Sequence, residues 1–257
     1  MTQSEPKKQS LRVIRGDLPT QLANMIGRRI LNGELRPGDQ LPAETELLEQ
    51  TGVSRTTMRE AIKLLVSKGL VEAKPKFGTR VRPSTDWSLL DPTVLRWQFD
   101  NRSDLHELLL LFEIRRIIEP EAAALAAQRG KAAKTAAIGR AYDTMAAASQ
   151  TQINLIEADV AFHLAVLDAA ENKYFLALGT MIEMAITATA RFSRQRPGGL
   201  QHALPAHKTV YDSILSQRPE VARAQMRALI DDAQEDMKMV LARLSSDETP
   251  KTIAERY

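Results

Sequence analysis

The sequence predicts a mainly α protein in two parts: three short helices closed by a β-hairpin, then a larger antiparallel helical bundle. Two observations carry that prediction. Glycine and proline punctuation falls mainly before residue 85, in the turns Arg36-Pro37-Gly38-Asp39 and Lys74-Pro75-Lys76-Phe77-Gly78, whereas helix formers dominate from there to Leu244 without a strand-like run. Charge divides at the same place. Residues 1–83 hold 15 Lys and Arg against 9 Asp and Glu, a net +6, while residues 84–257 hold 20 against 23, a net −3. A basic front end on a mildly acidic body suits a polyanion-binding module joined to a part with another task.

The 257 residues are 44% apolar and 26% charged, enough for packed cores in one large or two modest domains. Cysteine is absent, which excludes a disulfide scaffold and a cysteine-rich zinc site. The first ten residues are polar and no apolar run approaches the ~20 residues of a membrane helix, so the expectation is no signal peptide, no membrane anchor and a cytoplasmic location.

The front half places Leu22, Met25, Ile26 and Ile30 on one face of a first helix. A second helix fits 43–50, with Gly52 placed to end it, and Ser54 can cap a third helix reaching about Lys68. Met58, Ile62, Leu65 and Val66 form its expected buried stripe, and Arg55, Thr56, Arg59 and Lys63 its opposite face. Gly69 ends it, and two extended pieces, 70–73 and 79–82, flank the Lys-Pro-Lys-Phe-Gly turn. The expected domains are 10–83 for this unit, 84–104 for a linker, 105–244 for the helical body and 245–257 for a polar tail.

Three helices followed by a basic hairpin make a winged helix-turn-helix. Arg55 and Arg59, four apart, project from one side near the start of the third helix, where such helices meet base edges in the major groove. Arginine offers the bidentate fork that matches guanine O6 and N7. Thr56 and Thr57 can bond phosphates or bases, and Lys74 and Lys76 on the hairpin can reach the backbone or the minor groove. A lone Arg-x-x-x-Arg is usually a solvated surface, but the order of helices, turns and wing together with the charge split favours DNA.

The residues Leu41-Pro42-Ala43-Glu44, Gly52-Val53-Ser54-Arg55-Thr56-Thr57-Met58-Arg59-Glu60-Ala61, Gly69-Leu70-Val71 and Phe77-Gly78-Thr79 resemble the DNA-binding domain of the GntR superfamily over 18–82. The resemblance implies that Arg55, Thr56 and Arg59 read the operator and that Ser54, Thr57 and the wing, here Lys74, Lys76 and Gly78, contact phosphates. Many members carry arginine directly after Pro-x-Glu; Thr45 stands here, so one contact is lost or replaced.

In the second half, Ile156, Val160, His163 and Leu167 form an apolar stripe with Asp159 beside it. Asp159 and His163, at i and i+4, meet on one helix face and can share a divalent ion. His207 lies on a second stripe with Val210, Tyr211 and Ile214. Three such ligands would leave coordination positions open. The alternative is a buried Asp159–His163 hydrogen bond and an unrelated core histidine. Arg115, after Leu108, Leu111 and Phe112, can grip a carboxylate or pair with Glu119 one turn on. Arg191 and Arg194 are further effector candidates, with solvated arginines the alternative.

Glu113-Ile114-Arg115 running on to Glu119-Pro120, Asp159-Val160-Ala161-Phe162-His163, Asn172 and His207 are similar to the FadR branch of that superfamily, whose FCD-type effector domain has six or seven helices. The junction from Trp87 to Trp97 resembles a subgroup that includes galactonate-responsive repressors. The branch implies a metal held by one Asp and three His, matched by Asp159, His163 and His207. The fourth position is Leu229, which cannot ligate. Zinc is the implied ion, ahead of nickel or manganese, and Arg115 and His207 line the effector cavity. The expectation is a homodimeric regulator, a repressor, released from a palindromic DNA operator by a small carboxylate or sugar acid. The rivals are a metal-dependent enzyme acting on sugar acids and an architectural DNA-binding dimer without effector.

Overall fold

Helix α1 (Leu18–Leu31) buries Leu22, Ala23, Ile26 and Ile30, an i, i+4, i+8 face that becomes one wall of the first core. The computed structural model describes residues 17–42, 44–74, 77–99, 105–151, 153–193 and 203–247, and divides the chain into units 1–102 and 103–257. Helix α2 (Glu44–Thr51) stops at Gly52, whose φ of 68° favours a residue without Cβ. Helix α3 (Arg55–Ser67) starts where the Ser54 hydroxyl accepts the Thr57 N–H at 3.1 Å. It buries Met58, Ala61 and Leu65. Val66, expected in that stripe, is 42% exposed. At 100° per residue Leu65 lies between Met58 and Ala61, whereas Val66 falls about 100° from Leu65.

Strands β1 (Val71–Lys74) and β2 (Gly78–Val81) form an antiparallel hairpin from the Val71–Val81 pair to the Lys74–Gly78 pair. The free edge of β2 is tied to the loop before α2: Leu41 N–H donates to Thr79 and Val81 N–H to Asp39, each at 2.9 Å. The wing is thereby anchored on both sides.

Within the stretch expected as a linker, the described residues 84–99 are structured. A 3-10 turn (Ser84–Asp86) leads to α4 (Pro92–Phe99), which packs on α1. The reason is its apolar content. Val94 and Trp97 join the core of the first unit, and Trp97 donates its indole N–H to Asn24 at 2.9 Å. Lys68 pairs with Asp91 at 2.9 Å. The Trp97 ring lies over Gly27 so closely that a Cβ there would stand 2.3 Å from a ring carbon. Gly27→Ala should therefore cost the first unit about 1–3 kcal/mol by overpacking, read as a lowered melting midpoint.

The second unit contains seven helices among the described residues: α5 (Leu105–Arg129), α6 (Ala132–Thr151), α7 (Leu155–Ala169), α8 (Lys173–Ala177), α9 (Gly179–Ser193), α10 (Leu204–Leu215) and α11 (Pro219–Asp247). Helix α7 lies against α5, α6, α8 and α9, so it is apolar nearly all round. Its buried side centres on Phe162, with Asp159, His163 and Val166 beside it; Ile156 and Val160, expected inside, are half-buried. The alanines at 122–124, 126 and 127 let α5 approach α7 and α11. Met181, Met226 and Met237 are core residues, and Met184 is half-buried. Helix α11 reaches Asp247, three residues into the expected tail.

Candidate functional sites: a basic reading face and a buried polar cavity

On the first unit, Arg55, Thr56 and Arg59 are exposed on α3. Ser54 and Thr57 are coupled through their hydroxyls at 2.9 Å as part of the helix cap. The cap engages the Thr57 amide, and the N-terminal turn of α3 carries no acidic residue. This basic helix start is suited to phosphate. Lys74 closes the hairpin opposite Gly78 and pairs with Glu72 at 3.1 Å. Lys76 lies outside the described residues, and so does the side chain of Thr45.

On the second unit the structure brings Asp159, His163 and His207 together, with one ligand atom of each within 4.8 Å of the others. All three are buried. His207 Nδ1 faces the Ala203 carbonyl at 2.8 Å; a carbonyl only accepts, so that nitrogen carries the proton. Its Nε2 faces Asp159 Oδ1 at 2.9 Å. His163 repeats the arrangement, with Nδ1 on the Glu119 carboxylate and Nε2 3.4 Å from the same Asp159 oxygen. Two ring nitrogens and a carboxylate oxygen converge. That arrangement demands a positive charge between them, supplied by protons on the rings or by a metal ion. The second partner of each ring, Glu119 or the Ala203 carbonyl, aims its Nε2 at Asp159.

Glu119 was not among the residues singled out for this centre. It is 1% exposed and bridges Arg115, whose Nε donates to it at 2.6 Å, and His163. Burial pushes its carboxyl up, but the charges of Arg115 and His163 outweigh that and hold it at about 2. Burial likewise opposes ionisation of Asp159, yet hydrogen bonds from His163 and His207 keep it well below the carboxylate range. Burial disfavours the His163 imidazolium, and the Glu119 charge overcomes it, raising His163 to about 9.

The trio opens into a cavity of about 440 Å³, within the range of small-molecule sites. Arg115, 4% exposed, lines it and makes the expected salt bridge to Glu119. Leu229 forms part of the wall. Thr189, Asp232, Asp236 and Met239 also line it and were not anticipated. Phe162 stands edge-on to both imidazoles, with centroids 5.8 Å and 5.0 Å away. The side chain of Arg191, at the end of α9, and the whole of Arg194 lie outside the described residues.

A winged helix-turn-helix joined to a helical body with a polar cavity defines a DNA-binding transcription regulator with a small-molecule effector domain. The chain belongs to the gntR family of bacterial regulatory proteins: that family's model matches residues 18–81, and the FCD domain model matches residues 110–232. It is 32% identical over 212 residues to the uncharacterized HTH-type transcriptional regulator YieP of Escherichia coli K12, covering 81% of this chain and 90% of that one. It is 32% identical over 218 residues to the galactonate operon transcriptional repressor of the same organism, covering 84% and 94%. The Glc operon transcriptional activator of Escherichia coli K12 is 31% identical over 215 residues, covering 80% and 83%. The fold matches a solved structure of Lar, described as controlling expression of the Listeria monocytogenes agr system, with a TM-score of 0.64 at 20% identity over 89% of this chain and 99% of that one. The relatives are regulators, and this chain is a regulator rather than an enzyme. No described helix is long and apolar enough to cross a membrane.

Proposed function

We propose that the protein is a homodimeric repressor, released from a palindromic operator by a small organic or sugar acid bound at a divalent ion in the helical unit. The observation that carries this reading is the convergence of two imidazole Nε2 atoms and the Asp159 carboxylate at the wall of a cavity that Arg115 also lines. The donor set fits a metal. Asp159 Oδ1 and the Nε2 atoms of His163 and His207 would hold it, and two nitrogens with one oxygen suit zinc ahead of nickel or manganese. Leu229 supplies no ligand, so the ion keeps positions open for effector oxygens. Once bound, the ion would act as a Lewis acid that draws a carboxylate into the cavity. Arg115 adds its guanidinium, which Glu119 holds in place. Arg191 and Arg194 are further candidates for holding the effector.

Asp159 and the two histidines would have no reason to line an open cavity in a protein that only bends DNA. This is the argument against an architectural role. Repression rather than activation follows the galactonate operon repressor in preference to the Glc operon activator, because the former shares slightly more of both chains. A DNA partner supports a cytoplasmic location.

Arg55, Thr56 and Arg59 would read base edges. Ser54, Thr57, Lys74, Lys76 and Gly78 would hold phosphates. Arg59→Ala should cost about 1–3 kcal/mol of specific binding and relax base preference at one operator position. Fluorescence anisotropy with a duplex enriched from a random library reads this, and an undiminished preference would rule out the reading role. The effector site is tested by thermal shift with sugar and organic acids, with and without Zn²⁺. A true ligand at 100 times its dissociation constant stabilises the folded state by about 2.7 kcal/mol. Stabilisation by acids that needs the metal is the expected result; indifference to every acid and metal would overturn the assignment.

A further inference from the structure

Phe77 is 74% exposed, the highest value among the large apolar side chains of the described residues. It is not on a loose loop. Its N–H donates to the Lys74 carbonyl at 3.1 Å, and its carbonyl accepts the Gln40 side-chain N–H at 2.7 Å. It sits just inside the closing Lys74–Gly78 pair of the wing, and Gly78 takes a φ of 79°. A bridge between Gln40 and Arg80 ties the same strand to the loop before α2. The backbone that carries the exposed ring is therefore held on both sides, which reduces the ordering needed on binding.

The ring's surroundings are cationic. Lys74 and Arg80 are exposed beside it, and the one acid lining the same groove, Glu72, is paired with Lys74. Strand β1 packs against α3 within the same unit. With α3 in the major groove, as proposed above, the wing meets the neighbouring backbone and minor groove. A phenyl ring has no donor or acceptor and cannot read a base edge. It can press on sugars and wedge between base steps, which kinks a duplex at flexible pyrimidine–purine steps.

We infer that Phe77 is a specificity-determining residue, a minor-groove wedge that selects operators by deformability outside the bases read by α3. This rests on α3 being the reading helix.

The test uses the full chain and a duplex enriched from a random library by the wild-type protein, dyed at both ends. Phe77→Ala should lower affinity about tenfold at fixed salt and reduce the bend read by end-to-end energy transfer. It should leave the slope of affinity against salt unchanged, because phosphate contacts are retained. Phe77→Trp should restore affinity and bend. 2-Aminopurine placed at the flanking pyrimidine–purine step should brighten with wild type and not with Phe77→Ala. Unchanged affinity and bend in Phe77→Ala would overturn the inference, as would an equal loss on random duplex or failure of Phe77→Trp to rescue. Arg59→Ala measured on the same duplex shows separately whether α3 is the reader.

Discussion

Glu119→Ala destabilises the helical unit by about 3–5 kcal/mol, the cost of breaking a buried ion pair by removing one partner. Glu119 is 1% exposed and accepts from both Arg115 and His163. Its loss leaves the guanidinium buried without its partner and frees His163 Nδ1 from the group that orients it. Glu119→Gln retains an acceptor, removes the charge, and should cost less. Chemical denaturation of the two variants, followed by helical circular dichroism, checks the order. A loss below about 1 kcal/mol for Glu119→Ala would mean that the network is solvated and that the surface-pair range applies.

His207→Ala should remove metal-dependent binding of the effector while sparing DNA binding. His207 supplies one of the three donors, and its place on α10 is set by the bond from Nδ1 to Ala203. Losing a residue that merely orients a ligand costs about 10–100-fold in metal affinity, so losing the ligand itself should reach at least the top of that range. The substitution also leaves Asp159 facing His163 alone, so a modest change in stability is expected alongside. Metal titration followed by operator release reads the effect. A variant that still lets go of DNA at the wild-type effector concentration would show that the cavity is not the sensor.

Much of this was legible in the sequence because it depends on local rules. Ser54, Gly52 and Gly69 mark the ends of helices by capping and by positive φ, and the wing follows from its turn residues. The pairing of Asp159 with His163 follows from i, i+4 spacing, and His207 from the apolar stripe it shares with Val210 and Ile214. The parts that were missed are long-range. Glu119 was legible as a partner of Arg115, one turn away, but its second bond reaches 44 residues along the chain to His163. The burial of Trp97 depends on Gly27 and Asn24, far earlier in the sequence, which is why 84–104 read as a linker. Val66 was placed inside because a stripe read as i, i+4, i+8 from Met58 ignores the drift that brings Ala61 inward instead.

The account turns on the cavity of the second unit controlling the reading head of the first. The direct measurement is operator affinity of the full chain with Zn²⁺ present, titrated with an acid already shown by calorimetry to bind. Coupling of about 1–3 kcal/mol, a 5- to 150-fold weakening of operator binding, is the predicted result, with the same factor returned when DNA is added first and acid affinity is measured. Operator affinity that stays constant while the acid saturates its cavity would contradict it.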